Sequence, residues 1–359
     1  MKNILMTASA VALSAGAAVA GGVERSTQSV AILFEKGNYA ELSFGFAAPD
    51  VSGTFGGAVG SGDMAGSYSS VSLGFKQGLS DTLDFALILD QPIGADVDYP
   101  TGTGYPFAGS NATIKSAAVT GLLKYRFPSN VSVYGGLRAE SVSGDVLINA
   151  PLLGINNYTL QTETDYKFGY VAGVAWERPD IAARVALTYN SAITHEFEGT
   201  ETVAGVPVPG PAPFETEVPQ SLNLEFQTGI AANTLLFGSV RWVEWSVFDV
   251  PAPALATNIV DYTDDTITYT LGVGRKFNEQ WSGAVTLGYE KGDGLPTGNL
   301  GPTDGMKSIG VGATYTMNNM KITGGVRYVA IGDATTRTIN GVFTDNSALA
   351  AGVKVGWTF

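Results

Sequence analysis

The 359-residue sequence contains no cysteine and a single histidine, His195. The lack of cysteine excludes disulfides, thiol nucleophiles and thiolate-held metals. One imidazole cannot build a multi-histidine zinc site. Charge is also scarce: Asp, Glu, Lys and Arg make up 15% of the chain, against roughly 25% in an ordinary soluble domain. Positive charge is scarcest, with 20 Lys and Arg against 33 Asp and Glu, a formal net charge of -13. Binding a phosphate backbone needs a cationic footprint, so no nucleic-acid partner is expected. No G-x-S-x-G nucleophile motif occurs. The Gly-rich stretch 53–66 does not join a strand to a helix, as a phosphate cradle would. These absences lead us to expect no enzyme, no metal and no cofactor.

Residues 1–20 have the pattern of a secretory signal: Lys2, then the uncharged Ile4–Val19, then Ala18-Val19-Ala20 as a small-residue cleavage site. Beyond them no run approaches the ~20 apolar residues of a membrane-crossing helix. The remaining spanning structure is a closed barrel, in which every backbone polar group pairs between strands.

The end of the chain carries the clearest barrel pattern. Leu349, Ala351, Val353, Val355, Trp357 and Phe359 fall on one face of a strand, and Ala350, Gly352, Lys354, Gly356 and Thr358 on the other. Apolar residues toward lipid, small or polar ones toward the lumen and aromatics at the interface define a transmembrane strand. Similar alternation predicts about fourteen strands, near 39–48, 67–77, 82–90, 113–127, 130–147, 158–176, 181–198, 215–230, 233–247, 262–277, 280–290, 308–317, 320–331 and 348–359. The connections alternate in length. Tight ones such as Pro128-Ser129, Asn278-Glu279 and Asn318-Asn319 interleave with long ones at 49–66, 91–112, 148–157, 199–214, 248–261, 291–307 and 332–347. Short periplasmic turns and long extracellular loops produce this rhythm. The expected architecture is therefore all-β: a signal at 1–20, a short N-terminal luminal plug at 21–38, and a transmembrane antiparallel barrel at 39–359.

Two long loops are unusually apolar. One carries Ile148, Pro151, Leu152, Leu153 and Ile155; the other carries Val206, Pro207, Val208 and Phe214. Apolar loop surface marks a contact site or packs on itself over the barrel mouth, and the sequence leaves both open. Strand parity points Arg138, Arg184, Arg241, Arg327 and Lys354 into the lumen with Glu140 and Glu290. Arg138 and Arg327 are candidates to meet a carboxylate solute, the alternative being pairing with luminal acids.

Several segments together resemble the long-chain fatty acid transporter family of outer-membrane proteins (FadL/TodX-like). They are Gln28–Glu35 running into Tyr39–Phe46, Asp84–Tyr99 with Gln91-Pro92-Ile93-Gly94, and Arg184–Gly199 with His195-Glu196-Phe197. Val218-Pro219-Gln220-Ser221, Arg241-Trp242-Val243-Glu244-Trp245-Ser246 and Gly324–Tyr328 complete the set. The resemblance implies a fourteen-stranded barrel; that strand count suits a monomer, export without cysteine fits the Gram-negative outer membrane, and terminal Phe359 resembles the signal that the barrel-assembly machinery reads on a C-terminal strand. The resemblance also implies passive uptake of hydrophobic molecules, long-chain fatty acids first among them. Substrate would bind a groove between loops 148–157 and 199–214. It would leave sideways into membrane lipid at a kink in the third strand, making Leu83, Phe85 and Leu87 the expected lateral gate. The family's Asn-Pro-Ala plug motif is missing, and Glu35-Lys36-Gly37-Asn38 stands in its place. A general diffusion porin for hydrophilic solutes and a structural or adhesive barrel are the alternatives.

Overall fold

The computed structural model describes residues 22–359, so the expected signal at 1–20 lies outside the described residues. The wall is a closed barrel of fourteen antiparallel strands. They are β1 Tyr39–Asp50, β2 Tyr68–Gly78, β3 Leu83–Asp90, β4 Asn111–Arg126, β5 Val131–Ala150, β6 Asp165–Arg178 and β7 Ala183–Asn190, followed by β8 Ser221–Ala231, β9 Thr234–Val243, β10 Thr266–Lys276, β11 Trp281–Glu290, β12 Met306–Met317, β13 Met320–Ile331 and β14 Ser347–Thr358. Closure comes from β1, which pairs with β14 from Tyr39↔Thr358 to Asp50↔Ser347 and with β2 on its other edge. No described strand edge of the closed ring is left as a template for a second chain, apart from one break in β3 discussed below.

Period-two sequence sets the two faces. Phe168 (76% exposed), Leu137 (66%) and Leu287 (55%) belong to the outward band. Their inward neighbours are small or polar, such as Gly169, Arg138 and Thr286. The tight turns turn on asparagine: Asn130, Asn233 and Asn318 all have φ near +60° (63°, 59° and 53°). Asn tolerates this left-handed region because its short amide can hydrogen-bond locally.

Three expected strands divide. The segment expected as 158–176 breaks at Glu163-Thr164. Gln161 faces Asp145 while Asp165 faces Val142, so one extra residue is inserted on that side. Such a bulge bends the strand. The segment 181–198 breaks at Ser191-Ala192, and 215–230 breaks at Pro219-Gln220, where proline has no N–H to give the ladder. Two expected loops are mostly strand. β5 continues to Ala150, a 3-10 turn Pro151–Leu153 follows, and Ile155–Thr162 returns. Gly154 closes that turn at φ 77°, which a side chain would strain. Residues Ile193–Val203 and Ala212–Val218 form a second hairpin. The hairpins join edge to edge, from Gly199↔Thr162 to Thr202↔Thr159. β5, with 20 residues, thus rises far above the bilayer, since a spanning strand needs only roughly 9–11.

Residues 22–38 run through the lumen. Arg241 forks onto Glu24, and Arg25 donates to Asp96 at 2.8 Å and to the Gly94 carbonyl at 2.9 Å. Lower down, Ser29 meets Glu225 and Lys124 donates to the Leu33 carbonyl. Lys321 pairs with Glu35. The motifs flagged in the sequence prove to be one network: Arg241 also donates to Ser221 and Asn223, and Gln220 donates to Glu244 and accepts from Tyr189.

Candidate functional site

The extracellular half of the lumen is built from inward positions that turn apolar near the strand tops. On β5 the column reads Arg138, Glu140, then Val142, Gly144 and Val146; on β4 Lys124, Thr120 and Ser116 alternate with Leu122 and Ala118 before the column becomes wholly apolar at Ile114 and Ala112. The polar part faces the membrane-level lumen, and the apolar part faces a cavity of about 60 Å³. Val23 of the N-terminal segment lines it, and Ile93, Phe197, Phe214, Phe248 and Tyr262 are among the residues of its wall. The aromatics support one another: Phe197 and Phe214 lie 5.3 Å apart, and Trp245, Phe248 and Tyr262 contact in a triangle of 5.5 to 5.8 Å.

The cavity has one polar edge. His195, fully buried, lines it beside its cross-strand partner Thr216. His195 Nδ1 lies 3.0 Å from an Asp165 carboxylate oxygen, which assigns the proton to Nδ1 and leaves Nε2 a bare acceptor. Nε2 stands 3.9 Å from Glu140, too far for a hydrogen bond. Among the described residues, nothing hydrogen-bonds His195 Nε2, Thr216 Oγ1 or either Glu140 oxygen. Those four atoms are exceptions to the rule that buried polar groups are satisfied. No cluster suited to a metal ion occurs among the described residues.

A break in the wall lies nearby. The β2–β3 ladder stops at Leu73↔Leu89. The chain turns inward through Gln91-Pro92-Ile93. Above the turn Gly94–Asp98 pairs with β4 on one edge and closes on residues 64–66 on the other, where the Gly66 N–H reaches the Asp96 carbonyl at 2.8 Å and the Asp98 N–H the Met64 carbonyl at 2.9 Å. Ser70, Val71 and Ser72 therefore face a gap, bridged by one contact from the Val71 N–H to the Gln91 side chain at 3.3 Å. A cavity of about 40 Å³ there touches luminal Asp90 and Ser70, lipid-facing Val71, and Arg25 and Ser26. Ser26 donates to Asp90 at 2.6 Å. Residues 23–26 thus stand between the apolar cavity and the gap.

Of the residues expected at a site, the structure brings only Phe214 to the cavity lining. Ile148 is buried in an adjoining apolar cluster, with Ile155 packed against it. Leu152 (70% exposed) and Val206 (66%) stand at hairpin tips, and Pro151, Leu153 and Pro207 are exposed beside them, with Val208 half-buried. The two hairpins are hydrogen-bonded to each other, with the Ala204 N–H also reaching the Asn156 carbonyl, so no open groove separates them. Arg138 is committed to Thr120 and Asn190. Arg327 faces the lumen opposite Gly310 and Ala350, away from the cavity. Leu83, Phe85 and Leu87 lie in the fully paired part of β3, with Phe85 between Gln77 and Leu123. The break falls three residues or more beyond them, because proline at 92 and not the alternating run ends the ladder. Sequence reasoning missed Val23, Ile114, Val142, Phe248 and Tyr262. The signal for Ile114 and Val142 was the change from polar to apolar at inward parity.

A closed barrel with a lipid-facing apolar band, an apolar luminal cavity and a broken wall strand defines a channel-type outer-membrane transport protein. The family model for outer membrane transport proteins (OMPP1/FadL/TodX) matches residues 12–357, and the chain belongs to that family. It is accordingly a transport protein for hydrophobic compounds in the Gram-negative outer membrane and not an enzyme. No curated protein matches the chain. Among solved structures it is similar to a Pseudomonas aeruginosa FadL homologue, with 16% identity over 92% of each chain and a TM-score of 0.74. It is also similar to the P. putida toluene transporter TodX, with 12% identity over 90% of this chain and 91% of that one and a TM-score of 0.67. The Ralstonia pickettii toluene transporter TbuX shares 14% identity over 90% of each chain, with a TM-score of 0.65.

Proposed function

We propose that the protein takes up compact hydrophobic molecules passively, binding them in the apolar cavity and releasing them sideways between β2 and β3. The observation that carries this reading is the placement of the cavity beside a break in the wall, with only residues 23–26 between them. Burying apolar surface yields roughly 25 cal/mol per Å² removed from water. Bilayer hydrocarbon offers comparable burial, so passage from water to cavity to lipid runs downhill without an energy source. An open lateral edge at membrane depth is tolerated only where protein or a water-lined cavity satisfies it, which supports a working role for the gap. Long-chain fatty acids fit the geometry less well. The cavity is small beside an extended acyl chain, and the ionisable side chains nearest the His195 ring nitrogens are the acids Asp165 and Glu140, at 3.0 and 3.9 Å. The toluene transporters among the structural relatives are consistent with a compact solute. We propose the 21–38 segment as the plug of this path.

The test is equilibrium binding of toluene, palmitate and sucrose to the detergent-solubilised protein, followed by liposome swelling with sugars. Toluene should bind, and sugars should not permeate. Sugar permeation without toluene binding would establish a diffusion porin instead.

A further inference from the structure

The apolar cavity is lined at one edge by two polar side chains, each with an atom that nothing satisfies, and this deepens the proposed function, on which it rests. His195 Nε2 and Thr216 Oγ1 are unsatisfied atoms of two side chains that line the cavity, and the residues are 0% and 6% exposed. As a directly opposed pair on adjacent strands, their Cβ atoms stand roughly 4.5–5.5 Å apart. One is a bare acceptor, and the other is a hydroxyl that can donate. A pure hydrocarbon leaves both orphaned. A carboxylate brings a charge toward Asp165, 3.0 Å from Nδ1, and Glu140, 3.9 Å from Nε2, with no free cation at that edge to receive it. The nearby arginine, Arg138, directs two of its five donors to Thr120 and Asn190 and does not line the cavity. Lys167 is held by Glu196 at 2.6 Å.

A neutral hydroxyl satisfies both atoms at once, donating to Nε2 and accepting from Thr216. We infer that the cavity selects molecules with one neutral hydroxyl on a compact apolar body, a phenol or a short alcohol, with that hydroxyl held between His195 and Thr216. Asp165 is the positioning residue: by accepting from Nδ1 it keeps Nε2 free to accept. The stacked Phe197, 5.9 Å from the imidazole, holds the ring plane.

The experiment uses three probes of one shape, toluene, 4-methylphenol and 4-methylbenzoate, titrated into the full detergent-solubilised protein. Leaving a buried polar group unpaired costs about 1–3 kcal/mol. 4-Methylphenol should therefore bind about tenfold or more tightly than toluene, with 4-methylbenzoate the weakest. In His195→Phe, which keeps the ring, and in Thr216→Val, which keeps the shape, the phenol-to-toluene ratio should fall toward one. Equal binding of the phenol and toluene by the unaltered protein would overturn the inference, and so would a preference that survives both substitutions. Toluene and the phenol binding equally, yet both displaced by Val142→Trp, would leave the uptake reading standing and remove only the hydroxyl selectivity. No binding of any probe would remove both.

Discussion

The two ends of this lumen are built on opposite principles. The extracellular end is a small apolar cavity with orphaned polar atoms at one edge. The periplasmic end is a vestibule of about 600 Å³ lined by Glu35, Glu41, Lys76, Asp84, Lys124 and Arg184. There the charges satisfy one another: Asp84 receives Lys76 at 3.2 Å, Lys124 at 3.5 Å and Arg126 at 2.7 Å, and Lys354 lies 3.4 Å from Glu41. Apolar Ala31, Ile32 and Phe34 share this lining, so a solute moving down from the upper cavity meets a mixed surface. The proposed side exit suits this arrangement: the upper cavity is almost wholly apolar, the lower vestibule mixes charge with apolar surface, and the wall is broken beside the upper cavity.

The largest expected effect comes from the junction itself. Arg241→Ala removes the guanidinium that ties Glu24 to Ser221 and Asn223. Stranding one partner of a buried pair costs about 3 kcal/mol. Urea unfolding in detergent should show that loss, and limited proteolysis should cut residues 22–30 faster. Unchanged proteolysis would mean the segment is held from elsewhere. Next in size, Val142→Trp or Ile114→Trp fills the upper cavity and should weaken toluene binding about tenfold or more, since overpacked cavities relax only at a cost. An affinity close to that of the unaltered protein would place the binding surface outside the cavity. On binding the effect is smaller still: Asp84→Asn in the lower half strands buried Lys76 and Lys124 and should lower stability by about 3 kcal/mol while leaving toluene affinity as it was. A matching loss of affinity would erase the division between the halves.

The fold was legible because a barrel wall writes itself locally. Every second residue of β14 or β11 faces lipid, and asparagine punctuates the periplasmic turns. The extracellular hairpins were misread as loops because their outward residues meet water. Around Leu152 and Val206 the polar and apolar residues therefore lose the lipid pattern while the inward set, Ile148, Tyr158, Leu160 and Phe197, keeps its alternation. The cavity was least legible. Val23, Ile114, Val142 and the pair Phe248 and Tyr262 come from four separate segments, and only closure brings them together. The break in β3 had a local cause, Pro92, but the alternating Leu83, Phe85 and Leu87 drew attention to the intact part of the strand.

The smallest effect sharpens the comparison most, because it decides whether the upper region binds inside or at its rim. Leu152→Asp and Val206→Asp place charge on the two most apolar tips. Both side chains already stand in water, at 70% and 66% exposure, and surface substitutions of this kind usually change energies by less than about 0.5 kcal/mol. Toluene affinity should shift by no more than about twofold. A rim groove would respond differently, because a carboxylate laid against a bound hydrocarbon must lose its water. A tenfold loss in either variant, with Val142→Trp harmless, would move the site from the lumen to the loops. The reverse pattern leaves the tips as a cover and the cavity as the place where the solute rests.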